Sequence, residues 1–182
     1  MSKYSLSAEN TVLLGIDYQE RLMPAVLQPE KVSHNIGLLL QLAEKLDIPV
    51  IITEQYPRGL GRTVPEVKQY LGEHQLIEKI TFSAMIPELE KHLEQLGRRQ
   101  IVVGGVEAHI CVFQTVRDMV EAGFEVHLVR NACSSRFEEN YLSALELMRD
   151  LGAVITTAET VIFDLLKIAG TPEFRAMSQL VK

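Results

Sequence analysis

The sequence predicts a three-layer α/β fold in which a six-stranded parallel sheet carries helices on both faces. Six short apolar runs, rich in β-branched residues and bounded by Gly, Pro or polar residues, are typical of strands buried inside a parallel sheet. They alternate with segments in which Leu and Ile recur every three or four residues, as in amphipathic helices. Such alternation calls for right-handed crossovers, which place helices on both faces of the sheet.

The sequence marks the predicted strands with unequal strength. The first is an apolar run that ends at Asp17, whereas the third is weak because Glu78 and Lys79 stand within it. In chain order the predicted strands are 11–16, 50–53, 76–79, 101–104, 124–129 and 153–155. We expect them to form a doubly wound sheet in the order 3-2-1-4-5-6.

Proline and glycine mark the predicted helix ends. Pro87 stands at the start of one helix and Gly97 follows its last residue, while Gly123 and Gly152 stand after the ends of two others. The predicted helices are 32–46, 86–96, 110–120, 140–151 and a helical C-terminal part, 161–182, in which Thr171-Pro172-Glu173 opens a final segment. The longest irregular stretch, 54–63, suits an active-site loop.

Length and composition predict a single domain, 1–182, that acts on a small molecule. A hydrophobic fraction of 47% provides a sizeable core, and the net charge of −6 argues against nucleic acid or an anionic membrane as a partner. The N-terminus lacks an apolar signal core, so we expect a cytoplasmic location. Cys111 and Cys133 have no CxxC spacing, and we expect both to be thiols in a reducing compartment.

Three reactive side chains stand at the carboxyl ends of predicted strands, where open α/β sheets bind ligands. Asp17 follows the first strand, Lys79 ends the third, and Cys111 follows the fourth near a helix start that favours the thiolate. Each alone has an ordinary explanation as a capping carboxylate, a solvated lysine or a small buried cysteine. Together they supply a base, a cation that holds the thiolate, and a nucleophile.

Motifs around these residues resemble those of the isochorismatase-like hydrolases, with order and spacing that match over nearly the whole chain. They are IDYQ at 16–19, EKITFSA at 78–84 and GGVEAHICV at 104–112. The resemblance implies a Rossmann-like fold in which Asp17 takes the thiol proton, Lys79 stabilises charged groups, and Cys111 attacks a carbonyl to form an acyl-enzyme. It also implies a cis peptide between Val106 and Glu107, with the backbone N–H groups of Glu107 and Cys111 as an oxyanion hole.

The segment after the second strand separates this chain from the nicotinamidases of that superfamily. Those enzymes carry an Asp-x-His cluster and a further histidine there, which bind a metal, whereas this chain has TEQYPRGLG at 53–61. None of its five histidines lies at ligand spacing from another, so we expect no metal and no cofactor. Isochorismatases proper cleave a vinyl ether without a nucleophilic cysteine at this position, so Cys111 favours an amide or ester substrate.

Three functions therefore stay open. The leading one is a metal-independent cysteine hydrolase that acts on a small amide or ester. The second is hydrolysis of a vinyl ether in an isochorismate-like acid, whose carboxylate Arg58 or Arg62 could hold. The third is a catalytically idle binding or assembly protein on the same scaffold. Relatives commonly form oligomers, so we expect a homo-oligomer, for which the apolar stretch 161–168 offers interface material.

Other polar and aromatic residues near the predicted site are candidates for a substrate pocket. They are Gln19, Tyr56, Arg58, Phe82 and His109. His109 could also be the base, but Asp17 is preferred because residues two positions apart near a helix start point in different directions. Cys133 follows the fifth strand, where a small side chain packed beneath the site is the expected role.

Overall fold

The computed structural model describes residues 2–182 and contains a six-stranded sheet in the order β3-β2-β1-β4-β5-β6. The strands are β1 (Thr11–Ile16), β2 (Val50–Gln55), β3 (Gln75–Lys79), β4 (Gln100–Val106), β5 (Glu125–Ser134) and β6 (Val154–Thr156). Every neighbouring pair of these strands is parallel. The predicted fold class and strand order are confirmed.

Helices connect the strands and cover both faces of the sheet. They are α1 (Pro29–Lys45), α2 (Pro57–Leu60), α3 (Pro65–Lys68), α4 (Pro87–Leu96), α5 (Phe113–Glu121), α6 (Glu138–Asp150), α7 (Ala158–Leu166) and α8 (Pro172–Leu180). Helices α1, α7 and α8 bury side chains on one face, and α4, α5 and α6 bury theirs on the other. No helix within residues 2–182 is both long and apolar enough to cross a membrane.

Successive side chains of the central strand enter two separate apolar cores. Leu13 of β1 packs with the core under α1, whereas Val12 and Leu14 pack with the core under α4 and α5. This follows from the two-residue period of a strand, in which neighbours point to opposite faces. Because both faces are covered, β1 is buried along its whole length and is apolar after Thr11, and this pattern predicted the strand.

Strand β5 continues to Ser134, beyond the apolar run that predicted it. Arg130 and Asn131 interrupt that run and conceal the continuation. The Asn131 side chain is bonded in place: its Nδ2 donates to Asn35 Oδ1, and its Oδ1 accepts from the backbone N–H of Ala158 at the start of α7. The strand therefore extends past a polar residue without leaving that residue's amide unsatisfied.

His127 is a buried titratable group near the start of β5, at the opposite end of that strand from its carboxyl end. Its side chain is 2% exposed, and its Nε2 has no hydrogen-bond partner within residues 2–182. Burial lowers the pKa of His127, although the charges of Asp164 and Glu125 and the carbonyl of Lys3 oppose this. The folded protein therefore resists protonation of His127 at a pH where the unfolded chain accepts the proton.

The free energy of unfolding should consequently fall as the pH drops below about 6.5, where the unfolded histidine begins to bind its proton. His127→Phe should flatten this dependence, because it removes the group that the folded state keeps neutral. Urea denaturation at several pH values between about 7 and 5 measures the slope. His34→Phe, at an exposed position, is the matched control and should keep the wild-type slope. An unchanged slope in His127→Phe would contradict the assignment.

Candidate active site

Asp17, Lys79 and Cys111 converge at the carboxyl edge of the sheet. Lys79 ends β3, and its Nζ donates to Asp17 Oδ2 at 2.7 Å, with both side chains fully buried. Cys111 is 4% exposed, and the charge of the nearby Asp17 carboxylate raises the pKa of its thiol. The structure thus brings together the three residues that the sequence places at strand ends.

Asp17 is positioned by its backbone as well as by its partners. Its φ of 56° lies in the left-handed region, which Asp tolerates better than most residues, and this turns the chain directly after β1. Its backbone N–H donates to the Thr53 carbonyl at 3.1 Å, and Thr53 Oγ1 donates to Asp17 Oδ1 at 2.6 Å. Since Lys79 donates to Oδ2, each oxygen of the Asp17 carboxylate accepts one hydrogen bond. Each oxygen therefore keeps a lone pair that can accept another proton.

The ammonium of Lys79 uses all three of its donors inside the protein. Besides Asp17, it donates to the backbone carbonyls of Thr81 at 3.1 Å and Phe82 at 3.0 Å. A buried cation needs such compensation, because water no longer solvates it. These two hydrogen bonds hold the loop that follows β3 against the Lys79 ammonium.

Cys111 lies in a π-helical turn, Ala108–Val112, which continues into α5. The preceding peptide between Val106 and Glu107 is cis. Burial and the nearby charge of Asp17 raise the pKa of the Cys111 thiol to about 12, and Lys79 only partly opposes them. The shift runs opposite to the stabilised thiolate expected from the sequence, chiefly because burial disfavours the charged form and because the Lys79 ammonium is paired with Asp17.

Close packing of β4 against β1 depends on Gly104 and Gly105, which precede the last residue of β4. A Cβ on Gly104 would overlap the hydroxyl of Tyr18, which donates to the Ala132 carbonyl at 2.7 Å. A Cβ on Gly105 would lie 2.6 Å from atoms of Ile16. Only glycine permits this approach, which brings the segment leading to Cys111 beside the end of β1.

Gln55, the last residue of β2, is a site residue that the sequence analysis did not single out. Cys111 Sγ donates to Gln55 Oε1 at 2.9 Å. The predicted strand stopped at Thr53, two residues short, so the rule that selected Asp17 and Lys79 was not applied to Gln55. A strand end drawn at the glutamine would have identified it.

Gln19, which the sequence analysis proposed for a substrate pocket, makes all its hydrogen bonds to the protein backbone. It is fully buried. Its Oε1 accepts from the backbone N–H of Gln55 at 2.7 Å, and its Nε2 donates to the carbonyls of Gln55 at 2.9 Å and Gly61 at 2.7 Å. Gln19 therefore clamps the backbone of the residue that contacts the thiol.

The other pocket candidates lie around the site in different roles. Tyr56 and Arg58 line a cavity of about 490 Å³, which the Lys79 segment also borders. Phe82 contributes its backbone carbonyl to Lys79, while its ring is half-exposed. His109 places Nδ1 3.0 Å from Ser135 Oγ, and the hydrogen bond of the Cys111 thiol goes to Gln55, so this geometry does not form a Cys–His dyad.

Two buried carboxylates fasten the loops beside the site. Glu54 accepts hydrogen bonds from the N–H and Oγ1 of Thr63 and from Arg62, and these hold the Glu54 pKa below its usual value although burial opposes ionisation. Glu107 Oε1 accepts from the N–H and Nε of Arg136. The stretch predicted as an irregular loop, 54–63, is therefore tied down, and it contains the single turn α2.

Cys133 packs in the same apolar core as Cys111 and is likewise a free thiol. Burial raises the pKa of Cys133 to about 12, and no charged side chain opposes the rise. A small buried side chain, the role expected from the sequence, fits this environment. Within residues 2–182, no group of three or more His, Cys, Asp or Glu is arranged to hold a metal ion.

Comparison with known proteins gives full-length matches. The family described as "Isochorismatase domain" matches residues 11–160. The secreted isochorismatase effector Isc1 of Phytophthora sojae (strain P6497) is 37% identical over 182 residues, covering 97% of this chain and 87% of that protein. Isochorismatase domain-containing protein 2 of Xenopus laevis is 38% identical over 179 residues, covering 97% and 85%.

Solved structures agree with these matches. The MAR1 ribonuclease of Caenorhabditis elegans superposes with a TM-score of 0.92 at 35% identity, covering 97% of this chain and 92% of that one. The YcaC gene product of Escherichia coli, described as an octameric hydrolase of unknown specificity, superposes with a TM-score of 0.90 at 25% identity, covering 97% and 90%.

Proposed function

This chain belongs to the isochorismatase domain family, and we propose that it is a metal-independent cysteine hydrolase of a small amide or ester. The observation that carries the proposal is the buried Asp17–Lys79 pair beside the Cys111 thiol. A buried ion pair adds little stability compared with apolar side chains of the same volume, so stability alone is a poor reason for one at this place. Next to a thiol at the ligand-binding edge of a sheet, it supports a catalytic role.

In the proposed reaction, Cys111 sulfur attacks the substrate carbonyl carbon while the thiol proton passes to Asp17. The C–S bond forms, and the carbonyl π electrons move to oxygen, whose charge the backbone N–H groups of Glu107 and Cys111 would bind. The tetrahedral intermediate then collapses. Its bond to the amine or alcohol breaks, and Asp17 returns the proton to the leaving group.

Water completes the cycle. It attacks the acyl carbon and gives a proton to Asp17, and the carboxylic acid leaves as the C–S bond breaks and sulfur regains its proton. Because burial and the Asp17 charge raise the pKa of the resting thiol, we place its deprotonation in the same step as the attack. Lys79 keeps a fixed charge beside Asp17 through both half-reactions.

A substrate panel tests the function. Small amides, esters, vinyl ethers and RNA would be offered to the wild type and to Cys111→Ala, with intact-mass measurement of the wild type during turnover. We expect an amide or ester to be hydrolysed, with a transient acyl adduct on the peptide that contains Cys111. Turnover of a vinyl ether that survives in Cys111→Ala would support the second function, and no turnover of any class would support an idle binding protein.

RNA belongs in the panel because the C. elegans neighbour is named a ribonuclease. We propose that nucleic acid is not a substrate or partner of this chain, nor a membrane its binding surface. Its net charge of −6 repels phosphate backbones and anionic lipids, and binding to phosphates depends largely on neutralising Lys and Arg.

Of the two arginines considered for the vinyl-ether alternative, Arg58 is the better placed to hold a substrate carboxylate. Arg62 is committed to Glu54 and Glu78, with which it forms ion pairs. Arg58 has no acidic partner within residues 2–182 and lines the cavity beside Tyr56 and Lys79. Arg58 could hold a substrate carboxylate whether the bond cleaved is an acyl bond or a vinyl ether. Because Arg58→Ala removes the positive charge, it should weaken binding of acidic panel members more than that of neutral ones.

A homo-oligomer is our proposal for the assembly, and the E. coli neighbour is described as octameric. The stretch 161–168, expected as interface material, mostly faces its own core: Val161, Ile162 and Leu165 are buried there, and Phe163 and Ile168 point outward. Light scattering at micromolar concentration should give a mass above 20.5 kDa. A stable monomer would contradict the proposal.

Activity should survive chelation, because the proposed steps use only side chains, backbone N–H groups and water. Turnover measured before and after EDTA treatment should agree within about twofold. A strong loss in EDTA that zinc or manganese restores would show that a metal takes part.

We propose a cytoplasmic location, because Cys111 and Cys133 are both free thiols, which a reducing compartment maintains. The Phytophthora relative is named a secreted effector, so location varies among the proteins that this chain resembles. Fractionation of the native cells, with an antibody against this chain, tests the proposal.

A further inference from the structure

Gln55 contacts the reacting sulfur through one end of its amide and leaves the other end open. Its Oε1 accepts from Cys111 Sγ at 2.9 Å. Its Nε2 makes no hydrogen bond within residues 2–182 and is not sealed from solvent. The amide therefore holds an unused N–H donor beside the proposed nucleophile, where charge would develop during attack.

The position of this amide is fixed by its surroundings. Gln19 binds both the N–H and the carbonyl of Gln55, and β2 pairs Gln55 with Lys79 on β3. Alternation along β2 puts Thr53, which donates to Asp17, on the same side as Gln55 and sends Glu54 to the other side. A surface glutamine would have many rotamers, whereas this one has its backbone clamped and its side chain nearly enclosed.

From this juxtaposition we infer that Gln55 is a catalytic residue of the proposed hydrolase. Its Oε1 holds the neutral thiol beside Asp17, and its Nε2–H donates to the negative charge that appears when the proton moves to Asp17. Because the sulfur attacks as it loses its proton, this charge appears on the former carbonyl oxygen. The assignment rests on the proposed function, because the oxygen belongs to the substrate.

An amide suits these two tasks better than any other side chain of its size. A carboxylate could accept from the thiol, but its charge would oppose formation of a thiolate. A thioether of the same length, as in Met, offers only a weak acceptor and no donor. Gln55→Glu and Gln55→Met both nearly preserve the length of the side chain and remove the N–H donor. Gln55→Glu keeps a strong acceptor and adds a negative charge, whereas Gln55→Met adds no charge and leaves only a weak acceptor.

The first test reads the thiol without any substrate. We would measure how fast iodoacetamide alkylates Cys111 at pH 8 in three proteins that all carry Cys133→Ala. One keeps the native Gln55, and the other two carry Gln55→Glu or Gln55→Met. Far below the thiol pKa the rate follows the thiolate fraction, so a rise of one pKa unit is a tenfold loss of rate. We expect Gln55→Glu to slow alkylation about tenfold or more, and Gln55→Met to slow it less.

Gln69→Glu is the matched control, since Gln69 is an exposed glutamine whose Nε2 donates only to the Glu66 carbonyl. It should alkylate at the wild-type rate. Gln55→Glu alkylating within about twofold of wild type would overturn the contact with the thiol. Circular dichroism and urea denaturation identify any variant that fails to fold, and Gln55→Asn, which keeps the amide, then serves as the second variant.

The second test uses turnover of the panel substrate. Gln55→Met should lower kcat/KM on the order of 100-fold, the usual effect of losing one donor to a developing oxyanion. Gln55→Met with wild-type kcat/KM would overturn the donation to substrate. If Gln55→Glu slows alkylation but the wild type turns over nothing, the proposed function fails while the contact between Gln55 and the thiol stands.

Discussion

Replacing Cys111 with alanine is expected to abolish turnover of the panel substrate, by roughly 10⁴-fold or more, because no other group can form the acyl intermediate. Cys133→Ala is the matched control. It removes the other buried thiol, which packs in the same core, and should keep most of the activity. Steady-state kinetics on equal amounts of folded protein measures both.

Alkylation gives a second measure of the same assignment. Iodoacetamide should label Cys111 before Cys133, because Asp17 stands beside the first thiol as a base for its proton. Burial raises the pKa of both thiols to about 12, so the pKa values alone do not separate them. Both reactions should be slow at neutral pH and speed up as the pH rises toward the thiol pKa of about 12. Inactivation should follow the labelling of Cys111, and peptide mapping that finds Cys133 modified first, with Cys111→Ala active, would disprove the mechanism.

The two charged partners should affect alkylation in opposite directions. Asp17→Asn removes the carboxylate whose charge raises the Cys111 pKa, so alkylation should become faster even though turnover is lost with the base. Lys79→Ala removes the cation that lowers the same pKa, so alkylation should become slower. Opposite signs in the two variants distinguish an electrostatic role from general damage to the site.

The largest effect on stability is expected from Lys79→Met, which leaves the fully buried Asp17 without its cation. Removing one partner of a buried pair typically costs about 3–5 kcal/mol, because an uncompensated charge then stays in the interior. Urea denaturation at pH 7 measures the free energy of unfolding. Asp17→Asn combined with Lys79→Met should recover part of the loss, since that protein buries no charge at this place.

An exposed ion pair of similar length provides the control. Lys167 Nζ lies 2.8 Å from Asp164 Oδ1 three residues earlier, and both side chains reach solvent. Lys167→Met should cost less than about 1 kcal/mol, as is usual for surface pairs. If Lys79→Met costs no more than Lys167→Met, then Asp17 is not held as a buried carboxylate and the charge distribution of the proposed site is wrong.

The sheet could be predicted from the sequence because its central strands, β1 and β4, are buried along their whole length and are mostly apolar. The proximity of Asp17, Lys79 and Cys111 could also be predicted, because each stands at or just after the carboxyl end of a strand and these ends meet at one edge of a parallel sheet. The same reasoning failed where a polar residue belongs to a strand. Arg130 and Asn131 hid the end of β5, and the short prediction for β2 hid Gln55.

The sequence by itself thus determined the fold class, the strand order and the three reactive side chains, because these depend on hydrophobic periodicity and on positions along the chain. Only the tertiary structure decided the state of the thiol and the identity of its partner. Whether Lys79 stabilises a thiolate depends on what else the ammonium binds, and Asp17 with two carbonyls already occupies it. Gln55 reaches the sulfur across 56 residues of sequence, a contact created by side-chain packing that no local pattern encodes.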